Sequence, residues 1–166
     1  IADNSASTCA GFYVRGSSVQ LFHTTIARNT GGDGTGVCLS ANPSDSSIAM
    51  TNTILVSHTL GIQVDTHCTS TLAATLWGNG EWANKKDWNI KGSLITDTIN
   101  IWETPSFVNP ASGVYHLSPD SAAVNQGIPT WVTSDIDGDP RIGLPDIGAD
   151  EYIPAHIYLP LALRNY

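Results

Sequence analysis

The chain has 166 residues, 41% of them hydrophobic, with 15 acidic residues against 7 basic ones and a net charge of −8. That is enough apolar material for one domain with a core and argues against wholesale disorder. The scattered cations form no basic stripe for nucleic-acid phosphates or an anionic membrane surface.

Charged residues make up only 13% of the chain, against roughly 25% in an ordinary soluble domain. Ser, Thr, Asn and Gly take their place, the composition of a turn-rich all-β protein. No apolar run reaches the roughly 18 residues needed to span a bilayer. The chain opens at Ile1 with neither a methionine nor a signal peptide, so the expectation is a processed or cut piece of a longer protein. Cys9, Cys38 and Cys68 include no C-x-x-C pair. One disulfide plus a thiol, or three thiols, both remain open.

From the N-terminus onward the chain repeats itself. "GFYV" at 11–14, "GVCL" at 36–39 and "GIQV" at 61–64 begin on glycines spaced 25 apart (36 − 11 and 61 − 36). Each reads Gly, apolar, variable, apolar, the period-2 pattern of a half-buried strand. A second ladder follows in "SSVQL" (17–21), "SSIAM" (46–50) and "STLAA" (70–74), and a third in "TTIARN" (24–29), "TNTILVS" (51–57) and "ATLWGN" (74–79). Three short strands per coil of 25 residues are too compact for helical repeats, and three ladders in phase argue against a β-sandwich. The pattern predicts a parallel β-solenoid. Val14, Leu39 and Val64 should stack inside it, as should Phe12, Val37 and Ile62, while Tyr13, Cys38 and Gln63 point the other way. His23 and His58 are expected to line solvent-facing turns.

Residues 78–92, "GNGEWANKKDWNIKG", lengthen the third repeat and read as an insertion loop. Trp77, Trp82 and Trp88 lie along it, with Lys85 and Lys86 as the only adjacent cations. The rings either stack on sugar faces or pack the loop onto the solenoid. Trp82, in the most polar surroundings, is the ring expected to be exposed, and the two lysines would favour an acidic sugar.

Further along, "PSFVNPASGVYHLSPDSAAVNQG" (105–127) and "DIDGDPRIGLPDIGADEY" (135–152) carry a P-x-F-V-x-P, Y-x-L, D-x-D-G-x-x-R and D-I-G-A-x-E-Y pattern. This ending resembles that of secreted bacterial right-handed parallel β-helix proteins of the pectin-lyase-like superfamily, in particular choice-of-anchor surface proteins. The matching positions are Pro105, Phe107, Pro110, Tyr115, Leu117, Ser121, Ala123, Gly127, Arg141, Asp146, Gly148 and Glu151. The resemblance implies coils over 1–104, a capping region over 105–152 that covers the last coil, and a tail over 153–166. It also implies an extracellular or cell-surface location in a bacterium, with preceding coils of the same protein upstream. Within the cap, Arg141 would pair with Asp150 or Glu151, and Asp135 or Asp137 would accept turn amides. The tail "IYLPLALRNY" (157–166) reads either as an export signal or as an edge strand on the cap.

Asp135, Asp137 and Asp139 present carboxylates at alternate positions, so a calcium loop competes with a closing turn. Gly138 precedes the third aspartate, and Pro140 follows it, where an EF-type loop has D-x-D-x-D-G.

For catalysis, residues 11–79 of the coils offer only Asp33, Asp45 and Asp65 as acids and Arg15 and Arg28 as cations. Glycoside hydrolysis needs two facing carboxylates, and a lyase needs a base beside cations. The D-D, G-H-G and R-I-K signatures of the family's polygalacturonases are absent. No catalytic residue is assigned and no cofactor is required, calcium aside. The expectation is an exported β-helix segment without catalysis of its own, presenting a surface for adhesion or polysaccharide contact. The alternatives are the tail of a polysaccharide lyase or glycoside hydrolase whose active site lies upstream, and a purely structural cap of a longer stalk.

Overall fold

The structure is a computed structural model that describes residues 1–97 and 99–154; the 157–166 tail lies outside them. The first coil supplies strands β1 (Phe12–Arg15) and β2 (Ser18–Ala27), and the second β3 (Thr35–Ser40) and β4 (Ser47–Val56). The third supplies β5 (Leu60–Val64) and β6 (Thr69–Leu76), the fourth β7 (Trp88–Ile90) and β8 (Ser93–Thr96), with the short β9 (Asn100–Ile101) continuing it. Strands β10 (Phe107–Asn109) and β11 (Val114–Leu117) follow as an antiparallel pair.

The sheets stack in the order β1-β3-β5-β7 and β2-β4-β6-β8, every pair parallel, with β9 also on β6. This is a parallel β-helix. Phe12, Val37, Ile62 and Trp88 form one ladder, and Val14, Leu39, Val64 and Ile90 the next. Both face the interior cluster with Met50, Leu55 and Trp77. Tyr13 points outward at 54% exposure.

The three opening glycines hold their places because neighbouring coils approach closely. A Cβ on Gly11 would lie 2.2 Å from the Gly36 carbonyl oxygen, and one on Gly61 would lie 2.5 Å from that of Asp87. Nothing larger than hydrogen fits between the backbones.

Two details differ from the sequence expectation. In the first three coils the second and third strands run together into one long strand, bent at a single left-handed residue: His23 (φ 47°), Asn52 (φ 55°) and Ala74 (φ 56°). One residue of positive φ turns the chain without breaking the ladder on either side. The second ladder is also shifted, because Met50 rather than Ile48 pairs with Leu72. In the third ladder, Thr53 pairs with Thr24 rather than Thr25. The corners leading into β2, β4 and β6 span 16–17, 41–46 and 65–68, so aligning the coils by their serines misplaces the register.

The outer faces of the third-ladder segments are buried too. Ala27, Ile54, Val56 and Leu76 form a second cluster with Phe107, Leu117, Ala123 and Ile147. These strands read as continuous apolar runs because both faces are covered. The covering element is the segment 105–152, which folds back as a strap along the flank of the solenoid. Arg28 Nη2 donates to the Pro110 carbonyl at 2.7 Å, Gly148 N–H to the Asn52 carbonyl at 3.0 Å, and Trp82 meets Phe107 edge-on with centroids 5.0 Å apart. The strap thus ties the first, second and third coils together.

Candidate functional site: a cleft between flank and strap

Where the strap leaves the flank, a cleft of about 830 Å³ opens. Its inner wall is Phe22, His23 and Thr24 at the bend of β2; its outer wall includes Tyr115, His116, Asp135 and Asp150. A cavity of that size falls within the usual range for small-ligand sites.

His23 is locked into the inner wall. Its Nε2 lies 2.9 Å from Thr130 Oγ1 and 3.1 Å from Asn52 Nδ2, and its Nδ1 lies 3.3 Å from the Asp146 carbonyl. Burial, then the charge of Arg141, holds its pKa down to about 4. His58, also buried, is held near 4 chiefly by burial, with Asn29 Nδ2 at 3.2 Å from Nε2 and Asn84 Oδ1 at 3.2 Å from Nδ1. Neither histidine lines a solvent-facing turn, as the sequence had suggested. Each is an internal rung, tied by side-chain amides to the neighbouring coil or the strap.

The outer wall is set by the acidic segment. Asp135 Oδ1 accepts the N–H groups of Asp137 and Asp139, each at 2.9 Å, and its Oδ2 accepts that of Glu151 at 3.0 Å. Both carboxylate oxygens of Asp135 are therefore engaged by backbone in an Asx-type turn. Arg141 pairs with Glu151 at 3.0 Å, both side chains buried, and its Nη2 donates to the Gly148 and Ala149 carbonyls. Glu151 also accepts the N–H groups of Ile142 and Asp146. A buried pair of this kind is tolerated because nearly every remaining donor and acceptor finds a partner.

Among the described residues, the group whose ligand atoms converge is His116, Asp137 and Asp150, within 4.8 Å of one another, rather than Asp135, Asp137 and Asp139. His116 was legible as an outward residue, since Tyr115 and Leu117 on either side of it in β11 turn toward the strap core. That Asp150 would meet it across more than thirty residues was not.

Trp82, expected as the exposed ring, is instead buried against Phe107. Trp77 is fully buried, its Nε1 donating to Asn100 Oδ1 at 3.0 Å. Trp88 stands edge-on to Trp77 and is 37% exposed. Lys85 and Lys86 are exposed. The insertion is anchored by Trp82 and by Asn84, whose Nδ2 donates to the Leu55 carbonyl at 2.9 Å. Polar neighbours in sequence said nothing of the apolar strap that arrives later. The ring that does stand out is Trp131, 77% exposed and edge-on to Phe22 of the inner wall at 5.6 Å. No sequence signal beyond its type marked it.

No family model, no curated protein and no solved structure matches the chain. Among the described residues, no helix is long and apolar enough to cross a membrane.

Proposed function

We propose that this chain is a glycan-contacting segment of an exported pectin-lyase-like β-helix protein, with the saccharide seated in the cleft between flank and strap. The observation that carries the reading is Trp131. A large ring 77% exposed beside Phe22 offers a flat apolar face at the lip of a cleft that also carries polar side chains, which is how an amphipathic sugar ring is held. Asp135, Asp150 and His116 in the outer wall favour a neutral or amino sugar over a uronate, because a like charge would be repelled. The Cys9–Cys38 disulfide supports an oxidising, extracellular setting.

A glycan array with the intact chain and Trp131→Ala tests this, alongside an assay for released reducing or unsaturated ends. Binding to neutral polysaccharide that vanishes in Trp131→Ala, with unchanged melting temperature and no product, is expected. Binding indifferent to Trp131→Ala removes the reading, and released product replaces it with an enzyme.

A further inference from the structure

His116 is half-exposed on β11, with Nε2 3.3 Å from Asp137 Oδ2 and Nδ1 4.0 Å from Asp150 Oδ1. Asp150 is the unusual member. Its side chain is only 10% exposed, and Oδ2 accepts the Leu117 N–H at 2.7 Å. Its Oδ1, turned toward His116, accepts no hydrogen bond from the described residues. A carboxylate so largely withdrawn into the protein, with one oxygen free of protein hydrogen bonds and turned to the cleft, is stabilised by a cation that meets it there.

We propose that His116, Asp137 and Asp150 bind a divalent transition ion of the zinc class at the edge of the cleft. The donor set selects the ion. One imidazole nitrogen with two carboxylate oxygens suits zinc, whereas calcium takes six to eight oxygens. Three protein ligands leave a position for water or an incoming ligand, and His116 and Asp150 both line the cleft. The acidic segment then has a purpose beyond closing a turn. Asp135 fixes the backbone of Asp137, and the Arg141–Glu151 pair holds the chain on either side of Asp150. Both carboxylates are thereby positioned before any ion arrives.

Zinc chloride titrated calorimetrically into chelator-treated full chain, with no saccharide present, tests the site apart from the glycan reading. The expected result is one zinc ion bound per chain with a rise in melting temperature, since a ligand held only by the folded state stabilises it. Binding and stabilisation should both be lost in His116→Ala and in Asp137→Asn, and calcium chloride should produce neither. The two substituted side chains are 51% and 48% exposed, and a zinc-free melt matching the parent chain shows that each variant folds. Absence of zinc binding overturns the proposal. So does binding that survives both substitutions, or calcium binding as tight as zinc.

Discussion

His58 shows how a single residue can be set by the coil beneath it. Its two ring nitrogens face Asn29 and Asn84, one on each neighbouring coil, so the neutral ring serves as donor on one side and acceptor on the other. Protonation would leave the Asn29 amide facing a donor. With a folded pKa of about 4 against roughly 6.5 in the unfolded chain, the unfolded state binds the proton first. Stability is therefore full above pH ~6.5, falls as the pH drops toward 4, and levels off below, a loss of up to about 3 kcal/mol. His23 acts in the same direction. Asp146 and Asp150, whose pKa values are raised mainly by burial, act oppositely and only within the carboxylate range. Thermal melts from pH 7 to 4 should show the decline, and His58→Gln, which cannot titrate, should flatten much of it. An unchanged slope in that variant would mean that the rung is not the source.

At the scale of elements, a β-helix is a stack of backbones whose spacing leaves little freedom at its corners. Gly61 abuts the Asp87 carbonyl, and a Cβ there would sit 2.5 Å from the oxygen, 3.1 Å from Asn84 Nδ2 and 3.3 Å from Trp77 Cζ3. Gly61→Ala must push the insertion away from the third coil. Its expected cost is about 1–3 kcal/mol, as for other overpacked interiors, read as a lower urea midpoint at unchanged m-value. A variant as stable as the parent would show that the insertion can shift freely, and would weaken the view that Trp82 and Asn84 anchor it.

For the whole molecule, stability is shared between the solenoid interior and the seam under the strap. The seam covers Ile54, Val56 and Leu76, all at 0% exposure. Removing residues 104–166 would expose those side chains along the flank, a patch large enough to drive association. The shortened chain is expected to bind a hydrophobic dye and to lose its cooperative melt. A sharp transition without dye binding would mean that the coils stand alone and the strap is an accessory. The strap also builds the cleft, so sugar and zinc binding should vanish with it.

Legibility followed the range of the interactions. The Gly-led strands, the inward Val14–Leu39–Val64 ladder and the all-β parallel fold were readable because a stacked coil writes its period directly into the sequence. The Arg141–Glu151 pairing was within reach because its partners lie ten residues apart. The fusion of the second and third strands was not, since the left-handed bend falls on His23, Asn52 and Ala74, three residue types with no shared signature. Nor was the fate of the tryptophans. Trp82 is buried, and Trp131 exposed, by where a strap returns, over distances at which local polarity carries no information. The convergence of His116, Asp137 and Asp150 is of the same kind. The repeat determined that there would be a solenoid; the folding-back of its last third decided which face was covered, where a cleft opened and which side chains meet in it. Burying the apolar outer flank requires a partner, and only the tertiary structure shows that the chain supplies it itself.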